Sequence, residues 1–252
     1  EWRGRKYFAS FDNVEQTVEV FTSNLFAGNL TITQRRVAGY YEGTDGSVFD
    51  PTFVEDYLWA WYDQDSFNYF GGTVTDKTAN GNNLGINNDV DNGPTQNGIV
   101  TQTFNGTTGS GYLNTSADPV IYEAFFALKF NEAAFATYRG ILTADATTAA
   151  LVGNTGDTKL VNFSFGSSYR YWKNGTELTE ATQNAPMNTF GVIHARFGNG
   201  ITLTNLQIGK DRADISRYML ANVGEIILCD TVLTDEIGAD MDGWLKYKWG
   251  VA

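Results

Sequence analysis

The run YRYWKNG, residues 169–175, combines aromatic rings with polar groups that suit sugar recognition. A sugar presents an apolar ring face, on which an aromatic side chain packs, and a rim of hydroxyls that bind amide or charged groups. Side chains alternate between the two faces of a strand, so Arg170 and Trp172 lie opposite Tyr169 and Tyr171. We expect one aromatic set to face away from the core. The candidate glycan-binding residues of this run are Tyr169, Tyr171, Trp172 and Asn174.

The loop at residues 209–218 is a second candidate glycan-binding segment. It brings acidic and basic side chains together and ends at an aromatic residue, Tyr218. Carboxylates accept hydrogen bonds from sugar hydroxyls, and guanidinium groups donate them. We therefore expect Asp211 and Arg212 to contribute to a glycan site.

Carboxylates and amides on loops offer a candidate calcium site. Calcium takes about six to eight oxygen ligands from such groups. The residues that we assign to this site are Asp63, Asp76, Asn80 and Asn82. They lack the spacing of an EF-hand loop, and Asp and Asn in loops also form turns by bonding their own backbone. A calcium ion and an ion-free turn both stay open at this point.

The chain has one histidine and one cysteine. A nucleophilic triad would have to use His194 as its base. His194 lies within a strand-like run, on the same face as Val192 and Arg196, and we interpret it as structural, with a functional role as the less favoured alternative. Cys229 cannot form an internal disulfide and lies in an apolar strand, so we interpret it as an inert core residue.

Composition excludes several classes of function. The 252 residues carry 17 Lys and Arg against 29 Asp and Glu, which gives a net charge of −12 and an isoelectric point near 4.4. Such a surface repels a phosphate backbone, so we expect no nucleic-acid partner. No apolar run approaches the roughly 18 residues that span a bilayer, so we expect no membrane insertion. A hydrophobic content of 42% is enough for a sizeable core.

The candidate binding residues should be positioned mostly by β-strands. Many short runs alternate apolar and polar residues between glycine-rich turns, which is typical of an all-β protein. The pair Asn174 and Gly175 predicts a two-residue hairpin turn, because both positions take positive φ. Together these signals predict a two-sheet antiparallel jelly-roll sandwich. Further strands are predicted at residues 120–130, 159–165, 189–197, 200–209 and 223–230, and the first should place Tyr122, Ala124, Phe126, Leu128 and Phe130 on one face.

The predicted sandwich ends in a short helix. Thr234 is suited to cap it, acidic residues follow in its first turn, and Gly250 ends it. Ile237, Met241 and Leu245 recur on one face and should pack on the core. We expect Trp244 and Trp249 to close that core.

The first 50 residues form a separate small unit in this interpretation. Residues 14–21 and 30–37 alternate like strands, and the Gly- and Asp-rich residues 41–51 read as a linker. We predict a β arm over residues 1–50 and a jelly-roll domain over residues 51–252. Two or three strands cannot close a core alone, so the arm should pair with the main domain or with a neighbouring chain.

Two segments resemble the ends of concanavalin A-like, or laminin-G-like, jelly-roll domains of bacterial and phage surface proteins. LWAWYDQDSFNYFGGTVTDKTANGNN, residues 58–83, is similar to their opening strand, variable loop and Asp-Lys turn. VGEIILCDTVLTDEIGADMDGWLKYKWGV, residues 223–251, is similar to their closing strand, helix and Leu-x-x-Lys-Trp-Gly ending. The resemblance covers roughly residues 57–252. Ala79 departs from it where the family usually has Gly.

The resemblance implies a jelly roll of a kind that binds glycans or decorates cell surfaces and virions, often with calcium fixing its loops. Laminarinase-type enzymes of this fold carry Glu-x-Asp-x-x-Glu on one strand, and this chain lacks that spacing. We therefore predict a non-enzymatic glycan-binding or adhesion module, extracellular, on a phage virion or bacterial surface. The alternatives are a structural virion or filament subunit without a ligand and, less favoured, a glycan-cleaving enzyme. The expected partners are a surface glycan and, through the arm, further copies of the chain or other surface proteins.

Overall fold

The computed structural model describes residues 17–19, 29–31, 41–42, 48–49, 51–107, 109, 111–146, 148–161, 169–179, 182–214 and 216–252. Two antiparallel eight-stranded sheets and a C-terminal helix make up most of this part. Short 3-10 turns lie at Pro51–Tyr57 and Gln64–Ser66. The strands and the helix are β1 (Thr17–Glu19), β2 (Asn29–Thr31), β3 (Tyr41–Glu42), β4 (Val48–Phe49), β5 (Leu58–Tyr62), β6 (Phe67–Asn68), β7 (Thr73–Val74), β8 (Leu84–Asn87), β9 (Val90–Gln96), β10 (Ile99–Asn105), β11 (Tyr112–Asn114), β12 (Val120–Phe130), β13 (Arg139–Thr143), β14 (Ala149–Gly153), β15 (Leu160–Val161), β16 (Tyr169–Lys173), β17 (Thr176–Leu178), β18 (Gly191–Thr202), β19 (Gln207–Ile208), β20 (Leu220–Cys229) and α1 (Asp235–Trp249).

The two large sheets form the predicted sandwich. The front sheet has the order β17-β16-β18-β12-β20-β10-β9. β5 and β10 share one edge of β20, since β10 pairs with residues 220–223 and β5 with residues 226–229. The back sheet has the order β15-β14-β13-β19-β11-β8-β7-β6, also antiparallel throughout. The prediction of an all-β, two-sheet antiparallel sandwich with a C-terminal helix is confirmed.

The inner core lies between the sheets and follows the predicted alternation with one exception. Ala124, Phe126, Leu128 and Phe130 of β12 all point into it. Tyr122 does not, because the pairing of β12 with β18 shifts register between Ile121 and Glu123. This irregularity turns Ile121 inward in its place.

A second core lies on the outer face of the front sheet, under α1. Phe125 and Ala127 of β12 point into it, opposite the inner core, so β12 is buried on both faces. This explains why its sequence is nearly continuous apolar residues. Met241, Trp244, Leu245 and Trp249 of α1 fill the same core, as predicted. Ile237 packs against it while half-buried.

The caps of α1 are those that the sequence predicts. The hydroxyl of Thr234 accepts a hydrogen bond from the N–H of Ile237 at 3.2 Å. Gly250 ends the helix with a left-handed φ of 62°, where a residue with a Cβ would be strained. The helix is thereby fixed in length over the outer face of the front sheet.

Parts of the N-terminal 50 residues are described. β1 pairs with β2 and β3 pairs with β4, each antiparallel. Phe49 is buried in the second core, against the side chains of α1. The predicted strands at 14–21 and 30–37, and residues 162–165 of the strand predicted at 159–165, lie largely outside the described residues.

Candidate functional site

A depression of about 270 Å³ opens at the edge of the front sheet, where the β16–β17 hairpin meets residues 182–190. This depression is termed the edge pocket. One wall is apolar and the rim carries amide, hydroxyl and ammonium groups. Its lining residues are Thr158, Lys173, Asn174, Asn184, Ala185, Pro186, Met187, Thr189 and Phe190.

The hairpin that forms one side of the edge pocket is built as predicted. Lys173 pairs with Thr176, and the turn between them has φ of 52° at Asn174 and 77° at Gly175. The Oδ1 of Asn174 accepts a hydrogen bond from the N–H of Val192 at 2.9 Å. Asn174 therefore fixes the hairpin to β18 as well as lining the pocket.

The opposite side is held by backbone contacts to β12 and to the loop between β14 and β15. The N–H of Phe130 donates to the carbonyl of Pro186 at 3.0 Å, and the N–H of Ala185 donates to the carbonyl of Thr158 at 2.8 Å. A Cβ at Gly191 would come within 2.9 Å of Pro186 and 3.0 Å of Asn174, so glycine permits this close approach. The ring of Phe190 stacks on Trp249 at 5.4 Å. The apolar wall is thus preformed.

Two residues at the rim of the edge pocket carry hydrogen-bond donors that bond to no described residue. Asn184 accepts a hydrogen bond from the hydroxyl of Thr158 at 2.8 Å through Oδ1, while its Nδ2 bonds to no described residue. Lys173 is half-buried and forms no ion pair with a described residue. Thr189 is exposed at the same rim.

The hairpin aromatics occupy positions that differ from one another. Tyr171 is 2% exposed in the inner core, and burial raises the pKa of its hydroxyl. Tyr169 packs beside it, half-buried, with ring centroids 5.1 Å apart. Trp172 lies on the outer face; its ring stacks on His194 at 4.3 Å, and the guanidinium of Arg170 lies 4.6 Å from its centroid. The ring of Tyr171 is enclosed, Tyr169 and Trp172 are half-buried, and none of the three lines the edge pocket.

His194 is the centre of a buried polar cluster that the sequence did not reveal. Its Nε2 lies 2.6 Å from Oε2 of Glu123, and its Nδ1 lies 3.3 Å from Oδ2 of Asp242 on α1. Burial lowers the pKa of His194, but the hydrogen bonds and charges of these carboxylates outweigh it and raise the pKa. The ring is also stacked between Phe125 and Trp172. The structural interpretation of His194 is consistent with this cluster, which ties α1 to the sheet.

Glu123 completes this connection by binding the segment that enters the helix. Its Oε1 accepts hydrogen bonds from the N–H of Leu233 at 2.7 Å and from Nε of Arg196 at 2.9 Å. Arg196 also pairs with Asp235 in the first turn of α1. A small cavity of about 110 Å³ lies beside Trp172 and these charged groups. All of its charged lining groups have ion-pair partners within the chain.

A second buried carboxylate, Glu225, anchors the far end of α1. It accepts hydrogen bonds from Nε1 of Trp61 at 2.6 Å and Nε1 of Trp249 at 2.8 Å, and it pairs with Lys248 at 2.8 Å. Burial raises the pKa of Glu225 above its ordinary value. Lys248 and Trp249 of the closing motif thus both bind Glu225 and stabilise the fold.

The loop at residues 209–218 is fixed by its own charges. Asp211 is fully buried and binds Arg212 at 2.7 Å and Arg217 at 3.1 Å. Arg212 takes a left-handed φ of 53°. Because the carboxylate of Asp211 is enclosed and paired with these guanidiniums, the structure gives it a role in shaping the loop. Asp211 and Arg212 lie next to one another but outside the edge pocket.

The four residues of the candidate calcium site do come together, around the turn that begins at Asp76. The carboxylate of Asp76 accepts hydrogen bonds from the N–H groups of Trp61, Thr78 and Asn82 and from the hydroxyl of Thr78, at 2.7–3.0 Å. Asp63 pairs with Lys77 at 2.5 Å.

The amide Nδ2 atoms of Asn80 and Asn82 donate to the carbonyls of Leu58 and Trp59, each at 2.6 Å. Protein donors already occupy the carboxylates of Asp63 and Asp76, and the bond from the N–H of Thr78 to Asp76 is that of an Asx-type turn. No group of three or more His, Cys, Asp or Glu side chains within the described part of the chain is arranged to hold a metal ion.

Sequence reasoning missed the apolar wall and four polar lining residues of the edge pocket, Thr158, Lys173, Asn184 and Thr189. Residues 183–189, QNAPMNT, carry no pattern of their own, and their nearness to the hairpin depends on the tertiary fold. The sequence indicated this part of the pocket only weakly, through a loop that contains Pro and Asn between two strands.

The sequence indicated the His194 cluster more clearly, because Glu123 and His194 lie within apolar strands, where polar groups require partners.

No protein family and no curated protein matches this sequence. Among solved structures, the chain is similar to the crystal structure of HCR/D-Sa-GBL1/C, with 10% identity and a TM-score of 0.42 over 77% of this chain and 53% of that one. A structure concerning cell entry of botulinum neurotoxin type C, dependent upon interaction with two ganglioside molecules, has 10% identity and a TM-score of 0.42 over 79% and 53%. The binding domain of botulinum neurotoxin DC in complex with SialylT has 9% identity and a TM-score of 0.39 over 77% and 53%.

This chain thus spans about half the length of each of these three chains. At such identities and TM-scores the likeness transfers no function. Within the described residues, no helix has the length and apolar character needed to cross a membrane.

Proposed function

We propose that this chain is a non-enzymatic glycan-binding module and that the edge pocket is its site. One observation carries the proposal: the pocket joins an apolar wall, formed by Pro186, Met187 and Phe190, to a rim of groups with spare hydrogen-bonding capacity. A sugar ring needs this pairing of an apolar face with amide and hydroxyl partners. The volume of about 270 Å³ lies near the lower end of small-molecule pockets, about 300–1,000 Å³, and suits a terminal sugar residue.

The composition of the pocket favours binding over hydrolysis. Glycoside hydrolysis uses two carboxyl groups that flank the scissile bond. Among the described residues, none of the nine that line the edge pocket is Asp or Glu. The buried carboxylates of Glu123 and Glu225 are engaged by donors beneath α1.

We further propose that the module acts extracellularly, on a bacterial or phage surface. The support is the sequence resemblance over residues 57–252, together with an acidic chain of net charge −12. Any oligomer would use residues 1–50. If the chain binds no glycan, the favoured interpretation becomes a structural subunit without a ligand.

A glycan array tests the proposal. The full chain should bind a restricted set of glycans, and Asn184→Ala should reduce that binding at least about tenfold, because a hydrogen-bond partner of the ligand at the rim is lost. Asn92→Ala, an exposed residue on edge strand β9, is the matched control and should bind like the original chain. Silence across a broad array, or equal loss in both variants, would contradict the proposal.

A further inference from the structure

We propose that the ligand of the edge pocket is an acidic saccharide, whose carboxylate or sulfate group binds Lys173. This inference rests on the proposed function and assigns the chemical class of its ligand. The observation behind it is the charge of the pocket, which is opposite in sign to that of the chain.

Lys173 is the one charged residue among the nine that line the edge pocket. The chain as a whole carries −12, so a pocket whose one charged group among its described lining residues is positive is opposite in sign to the chain. A positive group inside a concave, partly apolar site attracts anions more strongly than the same group on an open surface. The pocket therefore selects against cationic ligands and favours anionic ones.

The ammonium group of Lys173 also has no carboxylate partner among the described residues. All five arginines of the described residues form ion pairs with carboxylates: Arg139, Arg170, Arg196, Arg212 and Arg217. Of the described lysines, Lys77 and Lys248 do so as well, whereas Lys129, Lys159, Lys210 and Lys246 form no ion pair with a described residue. Lys173, although half-buried, forms no ion pair with any described residue. An incoming anion would supply the partner.

The neighbouring rim groups suit an oxyanion. Nδ2 of Asn184 is a donor without a bond to a described residue, and the hydroxyl of Thr189 is exposed at the rim. A carboxylate or sulfate accepts several hydrogen bonds at once, and those from a charged donor are the stronger ones. The apolar wall then receives the sugar ring that carries the acid. The edge pocket thus offers donors for the acid group of the sugar and an apolar wall for its ring.

The test compares acidic probes with their neutral counterparts by isothermal titration on the full chain. The pairs are sialyllactose with lactose, a galacturonic acid oligomer with the matching galactose oligomer, and sulfated lactose with lactose. We expect at least one acidic member to bind about tenfold or more tightly than its counterpart, with an affinity that falls as salt rises. The first two pairs report a carboxylate and the third a sulfate.

Lys173→Gln should reduce the preference for the acid to about twofold or less, and Lys173→Arg should keep most of it. Lys210→Gln is the matched control, because Lys210 lies over Tyr112 on the back sheet, away from the pocket. Equal binding of acidic and neutral members, with both lost in Asn184→Ala, would overturn the acidic ligand and leave the glycan site standing. Binding of no probe, here and on the array, would overturn both.

Discussion

His194 Nε2 lies 2.6 Å from Glu123 Oε2, out of reach of solvent beneath α1. The opposite ring nitrogen faces Asp242, so each nitrogen of His194 has a carboxylate partner. Both nitrogens donate hydrogen bonds only in the imidazolium form. In the imidazolium form, the buried ring of His194 donates to Glu123 on β12 and to Asp242 on α1 and so joins the helix to the front sheet.

This relationship predicts a pH-dependent stability. The carboxylates of Asp242 and Glu123 outweigh burial and raise the pKa of folded His194, with Arg196 as the other charged group at Glu123. When the pKa of a histidine is higher in the folded than in the unfolded protein, its protonation stabilises the fold. This stabilisation is complete below the pKa of the unfolded state, about 6.5, and is lost as pH rises through the pKa of the folded state. The free energy of unfolding should therefore decline above pH 6.5 in urea titrations.

The matched variant is His194→Gln, which lacks this titrating ring. It should be less stable at pH 6 and should show a flatter decline between pH 6 and pH 9. Because His194 is the only histidine, no other imidazole contributes to the slope. A decline as steep in the variant as in the original chain would contradict the proposed imidazolium.

The pair Glu225–Lys248 predicts a strong coupling at the other end of α1. Lys248→Met leaves the buried Glu225 without its ammonium partner and should lower the free energy of unfolding by about 3–5 kcal/mol at pH 8. Adding Glu225→Gln should recover part of the loss, because the uncompensated charge disappears. Urea unfolding of the two single variants and the double variant checks this; additive losses would show that the two residues do not interact.

Much of the fold could be predicted because it depends on local patterns. Alternation placed Ala124 and Phe126 on the inner face of β12, and cap chemistry fixed both ends of α1 at Thr234 and Gly250. Alternation failed at Tyr122, since a register shift depends on the pairing partner, β18, and leaves no signature in the strand itself.

The site was less predictable because its parts meet only in the folded chain. The sequence showed that Tyr171 and Trp172 face opposite ways, but the position of α1 decides what covers Trp172. Asn174 was recognised from its turn, and the structure adds that it lines the edge pocket. The partners of Asn174 across the pocket, residues 182–190, became visible only once both sheets were in place.

Removal of calcium tests the turn at Asp76. Protein donors already occupy the carboxylates of Asp63 and Asp76, so the turn needs no ion to hold its shape. We expect EDTA to leave the melting temperature unchanged to within about 1 °C, because no bound ion would be removed from the folded state. A clear drop with EDTA that calcium reverses would instead establish the calcium site at Asp63, Asp76, Asn80 and Asn82.

Truncation separates assembly from stability in the N-terminal region. If residues 1–50 are an assembly arm, the chain 51–252 should contain fewer subunits per particle than the full chain by light scattering. This deletion also removes Phe49 from the second core and should lower the melting temperature. An unchanged number of subunits in the chain 51–252 would refute the arm.

The central claim is that the edge pocket binds glycans. The most direct measurement is a ¹⁵N NMR titration of the full chain with the oligosaccharide that binds most tightly on the array. Amide shifts should cluster at residues 172–175 and 184–191, on both sides of the pocket, and disappear from the Asn184→Ala titration. Shifts confined to residues 209–218, or no saturable shifts at all, would contradict the account.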